Sequence, residues 1–214
     1  MIQLLDYGET IIFIVLLFAS ILSLAVILER AMVLRRDTSR AASGFKQALV
    51  AKIRENDMKS ASEIARLYTH STYGRFAEFS LALCDKNHAG LSDLMEGKII
   101  EEKIQLEKRL SILNTLGNNA PFIGLLGTVL GIVRAFHGLG TLGNSGGEIV
   151  MRSISSALLA TAAGLFVAIP VVMANNFFSR KVKIILQNLE ILSREFLATR
   201  SDPAPSENIQ SSSE

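Results

Sequence analysis

Three stretches of the chain carry no charged residue: Thr10–Leu28, Leu110–Val133 and Ser153–Ser179, which run for 19, 24 and 27 residues. A bilayer core about 30 Å thick is crossed by roughly 20 apolar residues of helix. A soluble helix of that length turns a charged face to water, and none of these runs has one. The pattern predicts three membrane-spanning helices and excludes a soluble globular protein. Outside the spans, apolar residues return every three or four positions, as in Phe45, Leu49 and Ile53 and in Phe76, Phe79 and Leu83, the period of amphipathic helices. Only Gly44, Gly74, Gly90 and Gly97 interrupt 30–116, with no proline, so the middle region reads as helical. From Ser92 onward, LMEGKIIEEKIQLEKRLSIL sets Glu against Lys or Arg at neighbouring helical positions and offers no break before Pro121. The second span is therefore expected to begin as a helix far outside the membrane. Past the third span, Ile184, Ile185, Leu189, Leu192 and Phe196 keep a helical stripe. Each of these two helices is expected to run ~45–50 residues, or roughly 70 Å. The expected fold is an all-α integral membrane protein with three transmembrane helices, the second and third extended far into the cytoplasm.

The placement of charge sets the expected orientation. The segment before the first span holds Asp6 and Glu9 in place of Lys or Arg, and lacks the basic start and small-residue cleavage site of a secretory signal, so the span is read as a retained anchor. Its far end meets Glu29, Arg30, Arg35, Arg36 and Arg40, which marks that side as cytoplasmic. Between Glu29 and Arg109 there are 15 basic and 12 acidic residues, and after Ser179 there are 5 and 5, so 20 of the 22 basic residues fall on one side. TLGNSGGEIV, at 141–150, has no Lys or Arg and reads as an outer loop. The expected order is a periplasmic start at 1–9, spans at 10–28, 113–139 and 152–179, a cytoplasmic helical region at 29–112, a short periplasmic loop at 140–151, a cytoplasmic helix at 180–200 and a disordered tail at 201–214.

Two spans carry stripes of small and polar residues. On the second they are Asn114, Gly117, Pro121, Gly124, Thr128, Gly131, Ala135 and Gly138, and on the third Ser153, Ala157, Thr161, Gly164 and Ala168. Such faces let helix backbones approach closely and let hydroxyls bond across the contact. Thr128 lies ten residues in from Gly138 and Thr161 eight in from Ser153. On antiparallel helices both hydroxyls then lie at about 12–15 Å depth. Two readings stand: packing seams whose threonines bond their own backbone, or an oligomeric pore with Thr128 and Thr161 as its polar ring. No Asp or Glu falls within the apolar runs, yet proton relays and cation sites in membranes usually need an ionisable ligand. A conducting form would take its carboxylate from a partner.

Other features narrow the classes. A net charge of +2 on 214 residues argues against a nucleic-acid binder. Cys84 is single, and it and His70, His88 and His137 form no metal-ligand motif. No nucleophile and base constellation or nucleotide loop points to an enzyme or to a bound cofactor. Three spans without an internal repeat fit a small-molecule transporter poorly. Arg134 is expected to reach the interface or pair with Glu148, with gating as the alternative, and His137 sits near the same helix end as an interfacial group or pH sensor. Arg152 reads as an interface anchor, Pro121 and Pro170 as kinks, and Asn175 and Asn176 as exit-lining or interhelical groups. Arg180, Lys181 and Lys183 read as positive-inside anchors, with anionic lipid contact as an addition.

APFIGLLGTVLGIVRAF at 120–136, followed by SALLATAAGLFVAIPVVMANNFF at 156–178, closely resembles the two pore-lining spans of the ExbB/TolQ branch of the MotA/TolQ/ExbB family. The span order, the Glu29–Arg30 pair and the large cytoplasmic region extend the likeness over most of the chain. The resemblance implies a bacterial inner-membrane motor subunit that forms a homopentamer around a dimer of single-span ExbD/TolR-like partners, whose intramembrane Asp carries the proton. Ion flow would then drive work across the periplasm, through a TonB- or TolA-like protein. The family's two pore threonines fall on Thr128 and Thr161. Where relatives carry a glutamate five residues before the second threonine, this chain has Ser156, with Ser155 beside it. That departure leaves two versions of the motor open, one driven by H+ through the partner Asp alone and one coupled to Na+. A non-conducting scaffold is the third alternative.

Overall fold

The structure, a computed structural model, describes residues 2–85, 90–142 and 147–201. Among the described residues every element is a helix: α1 (Ile2–Thr38), α2 (Arg40–Arg54), α3 (Met58–Leu67), α4 (Thr72–Asp85), α5 (Leu91–Glu107), α6 (Leu110–Leu142) and α7 (Gly147–Ser201). The chain divides into two compact units, Met1–Met32 with Glu107–Arg180, and Val33–Leu106 with Lys181–Glu214.

The first unit holds the apolar helices. Among the described residues three helices are long and apolar enough to cross a membrane, yet only 22% to 33% of each one's most apolar stretch is buried. α1 turns Ile12, Leu16, Ala19, Ser23 and Val26 inward at three- and four-residue steps, while Ile14, Leu17, Phe18, Ile21 and Leu24 face out. Phe122, Leu125, Leu126, Val129 and Phe136 of α6 and Leu158, Leu159, Phe166, Ile169 and Met173 of α7 face out as well. A water-soluble surface does not present such continuous apolar area, so lipid or other chains must cover it.

The helix boundaries differ from the sequence expectation in three places. The helix expected to run without a break from Ser92 ends at Glu107 and restarts at Leu110. Arg109 between them is left-handed, with φ 68°, a conformation that costs an L-residue about 1–2 kcal/mol. Its guanidinium pairs with Glu29 at the end of the first span, a contact between residues far apart in sequence that favours the turn. What reads as an extension of the second span is thus a separate helix, α5. The connection expected at 140–151 is shorter, because α6 continues to Leu142 and α7 begins at Gly147. Residues 143–146 lie outside the described residues. So does 202–214 of the tail expected to be disordered, while Ser201 still belongs to α7. α7 itself runs unbroken for 55 residues through 152–179 and 180–200.

The second unit is amphipathic in the ordinary way. Phe45, Leu49 and Ile53 of α2 are buried, with Ala61 and Ala65 of α3, Tyr73, Phe76 and Ala77 of α4, Met95 of α5 and Ile185, Leu189, Leu192 and Phe196 of α7. Phe79 and Leu83, expected beside Phe76, are only half-buried. The inward face of α4 is instead set by Tyr73, Phe76, Ala77 and Ser80. Ile184 also departs from its stripe and is exposed. Burial pushes the Tyr73 hydroxyl up to about 12, against the opposing hydrogen bond from Asn188. Glu102, almost fully buried, is held by Arg75 through Nε and Nη2 and by Lys98 at 3.4 Å.

Side chains cap the short helices of this unit. Ser39, extended between α1 and α2, accepts from the Ala42 backbone N–H at 3.2 Å. Asp57 does the same for α3 through Ser60 N–H at 3.1 Å, and these hydrogen bonds to Ser60 hold its carboxyl below the ordinary 3.8. A carboxylate whose folded value is depressed contributes stability that is present above 3.8 and is lost as pH falls through the folded value. Asp57→Asn keeps the cap without a titrating group, so thermal scans below pH 4 are expected to show wild type losing ground to the variant. Equal slopes for the two proteins would mean that the cap does not titrate with folding.

Candidate functional site

The small-residue stripes meet within the first unit. A methyl group on Gly124 would stand 2.8 Å from the Ala160 carbonyl oxygen and 3.1 Å from the Thr161 Cα. One on Gly131 would lie 2.5 Å from Ala157 Cβ, and one on Gly164 would lie 2.7 Å from the Ala120 carbonyl oxygen. At Gly117 it would come within 2.8 Å of Val172 Cγ2. Gly124, Gly131, Gly164, Ala157 and Ala168 are all buried, and α6 and α7 touch almost backbone to backbone along them. Gly127 and Ala160 belong to the same contact, for a Cβ on Gly127 would collide with Ala160 Cβ. The sequence stripe passed over Gly127 because it followed Gly124 to Thr128, whereas the contact follows Gly124, Gly127 and Gly131. Pro121 is half-buried, and Asn114 lies further along α6, its Oδ1 accepting from Asn118 Nδ2 at 3.3 Å.

The two threonines behave differently. Thr161 Oγ1 donates across the seam to the Gly124 carbonyl oxygen at 3.2 Å. Thr128 Oγ1 donates to the Leu125 carbonyl of its own helix at 2.7 Å, and the residue is half-buried. The two acceptors, the Gly124 and Leu125 carbonyls, are adjacent on α6, so both hydroxyls belong to one level of the seam. Hydroxyl and carbonyl oxygens of this kind can order water or contribute to a cation's shell, but they do not exchange protons usefully near neutral pH.

A third feature lies further along the same helices. Arg134 Nη1 donates to Glu9 Oε2 of α1 at 3.0 Å, where the sequence offered Glu148 as the partner. Ser156, the position at which the resemblance leads one to expect a glutamate, donates its hydroxyl to Glu9 Oε1. Glu9 is buried at 8% exposure. A cavity of about 420 Å³ opens here, lined by Glu9, Thr10, Arg134, Arg152, Ser153 and Ser156 together with Phe13. Ser155 is exposed, and His137 is half-buried one turn beyond Arg134. Glu9 escapes a search for carboxylates within the uncharged runs because it stands one residue ahead of the first. A signal was present: the inward stripe of α1, Ile12, Leu16 and Ala19, reaches Glu9 when stepped back once. Among the described residues no three His, Cys, Asp or Glu side chains gather as a metal site.

Comparison with known proteins adds an independent line. The sequence profile of the MotA/TolQ/ExbB proton channel family matches residues 66–191. The chain is 39% identical over 109 residues to the Tol-Pal system protein TolQ of Pseudomonas aeruginosa, an alignment covering 51% of this chain and 47% of that protein. It is 36% identical over 153 residues to the biopolymer transport protein ExbB of Neisseria gonorrhoeae, covering 68% of this chain and 67% of the relative. ExbB of Xanthomonas campestris pv. campestris shares 39% identity over 106 residues, 48% of this chain and 42% of that one. The aligned part is thus about half the length of the first of these relatives and two thirds of the second.

Proposed function

Because the chain belongs to the MotA/TolQ/ExbB proton channel family, we propose that it is the wall-forming subunit of an ion-driven motor in the bacterial inner membrane. The observation that carries this reading is the Thr161 hydroxyl bonded across the seam to the Gly124 carbonyl, level with Thr128, within the uncharged runs of the two helices. The hydroxyls form the polar belt of the path, and Gly117, Gly124, Gly131, Ala157, Gly164 and Ala168 bring the two helices close enough to make it. The chain lies with its N-terminus in the periplasm and its C-terminus in the cytoplasm, as its basic residues favour. Copies of the chain form a ring, five in number by the family resemblance, in which the outward apolar faces of α6 and α7 find part of their cover. A dimer of a single-span ExbD/TolR-like protein sits in the ring and supplies an intramembrane carboxylate. Work is passed across the periplasm to a TonB- or TolA-like protein.

The coupling ion on this reading is the proton, carried by the partner's carboxylate. Ser156 keeps a Na+ version in view, since hydroxyl, carbonyl and carboxylate oxygens also suit that hard cation. The test is flux through the complex with its partner in vesicles, with pH and Na+ gradients imposed separately. Transport driven by the pH gradient and indifferent to Na+ is expected. Flux that follows only the Na+ gradient overturns the proton assignment, and flux under neither gradient overturns the motor in favour of a scaffold.

A further inference from the structure

The cavity at Glu9 lies on the same two helices as the hydroxyl pair. Ser156 precedes Thr161 by five residues on α7, and Arg134 follows Thr128 by six on α6. At 1.5 Å per residue both groups stand roughly 8–9 Å along the bundle from the threonines, toward the same end. The space of about 420 Å³ holds on the order of ten water molecules at their liquid volume. Its charged lining among the described residues is Glu9, Arg134 and Arg152. Arg152 is exposed, whereas Glu9 is buried with each oxygen engaged separately, one by Arg134 and one by the Ser156 hydroxyl.

Stability alone does not account for this arrangement. An ion pair in low-dielectric surroundings gains little over apolar packing of the same volume, so tying α1 to α6 would be served as well by methyl groups. Such groups are instead common where a membrane protein handles ions. The carboxylate also borders an open cavity rather than a closed contact, and the hydroxyl on it is a second oxygen already in place.

We propose that Glu9 is a residue of the ion path, a carboxylate that binds the transported cation at the mouth leading to Thr128 and Thr161. Ser156 is its second oxygen ligand, and Arg134 is the built-in cation that occupies the carboxylate when no ion does. When the driving ion is H+, it adds to a Glu9 oxygen and later leaves from it, and no other bond changes. While the ion is bound, the Arg134 guanidinium turns to the water of the cavity. This assignment rests on the ion-path reading above and adds to it a carboxylate from the chain itself.

The experiment measures partner-dependent flux in vesicles under separate pH and Na+ gradients, with assembly and thermal stability read on the same preparations. Glu9→Gln is expected to lower flux per assembled complex by roughly tenfold or more, the scale of one lost charged interaction. Glu9→Gln with Arg134→Gln keeps a neutral hydrogen-bonded link between α1 and α6, and is expected to assemble yet stay as inactive. Glu9→Gln with Ser156→Glu returns a carboxylate to the same cavity from α7, and recovery of flux is expected. If the neutral pair conducts as wild type does, Glu9 is a tether and the proposal is overturned. Loss of flux in the Ser156→Glu double variant despite normal assembly also counts against it. Full flux in the Glu9 variants beside lost flux in a Thr161 variant would sink this assignment and leave the hydroxyl path standing. A wild-type complex that carries neither ion would overturn the path itself, and Glu9's part with it.

Discussion

Replacing Thr161 with Val is expected to leave an assembled complex whose ion flux and work are sharply reduced. Valine keeps the branched shape that packs against Gly124 and removes only the hydroxyl that donates to the Gly124 carbonyl. Interhelical hydrogen bonds inside membranes are worth about 0.6 kcal/mol on average, so the structural cost is small. The functional cost is larger, because the spans hold no charged residue at this level that could take over. A fall in flux of roughly tenfold or more per assembled complex is expected, against little change in thermal stability. Thr128→Val should act in the same direction, although its hydroxyl is tied to Leu125 of its own helix and the residue is half-buried. Wild-type flux in a well-assembled Thr161→Val complex would reduce the hydroxyl to a packing group and favour the scaffold.

Gly124→Leu is expected to disrupt the seam between α6 and α7. The first atom of any side chain there meets the Ala160 carbonyl oxygen at 2.8 Å and the Gly164 Cα at 3.2 Å, and both belong to helix backbone that cannot swing aside. Overpacking by far smaller additions costs about 1–3 kcal/mol, so a leucine should cost ~3 kcal/mol or more. For a chain of this size that is a fall in thermal midpoint of about 10 °C in detergent. The control is Gly97→Ala, where an added Cβ meets nothing within 4 Å. In the interior of α5 that change should stabilise by up to about 1 kcal/mol through helix propensity. Equal behaviour of the two variants would mean that α6 and α7 do not meet at Gly124.

The uncharged runs and the stripes were legible because they are written at fixed spacing along single helices. A run with no charge over 24 or 27 residues has few alternatives to a span, and a stripe of Gly, Ala, Ser and Thr at three- and four-residue steps is a face whatever it touches. The break at Lys108–Arg109 was not legible. LEKRLS is good helix-forming sequence, and the left-handed Arg109 is favoured by an ion pair with Glu29, 80 residues earlier in the chain. The same holds for Arg134, for which the local sequence offered Glu148 and which in the fold donates to Glu9, 125 residues away.

What the sequence by itself determined is the kind of surface each segment presents: three helices for lipid, a charged helical region, and two faces small enough to meet. These follow from periodicity and from the cost of exposing charge to hydrocarbon, which are local properties. Only the tertiary structure decided which atoms meet across those faces. It set Thr161 on the Gly124 carbonyl and left Thr128 on its own helix. It also brought Glu9 to Ser156, so that a carboxylate read as part of the leader stands at the bundle's polar cavity. The reason is that a helix stripe specifies a direction, whereas a hydrogen bond or ion pair between helices depends on their relative register, which emerges when all three pack.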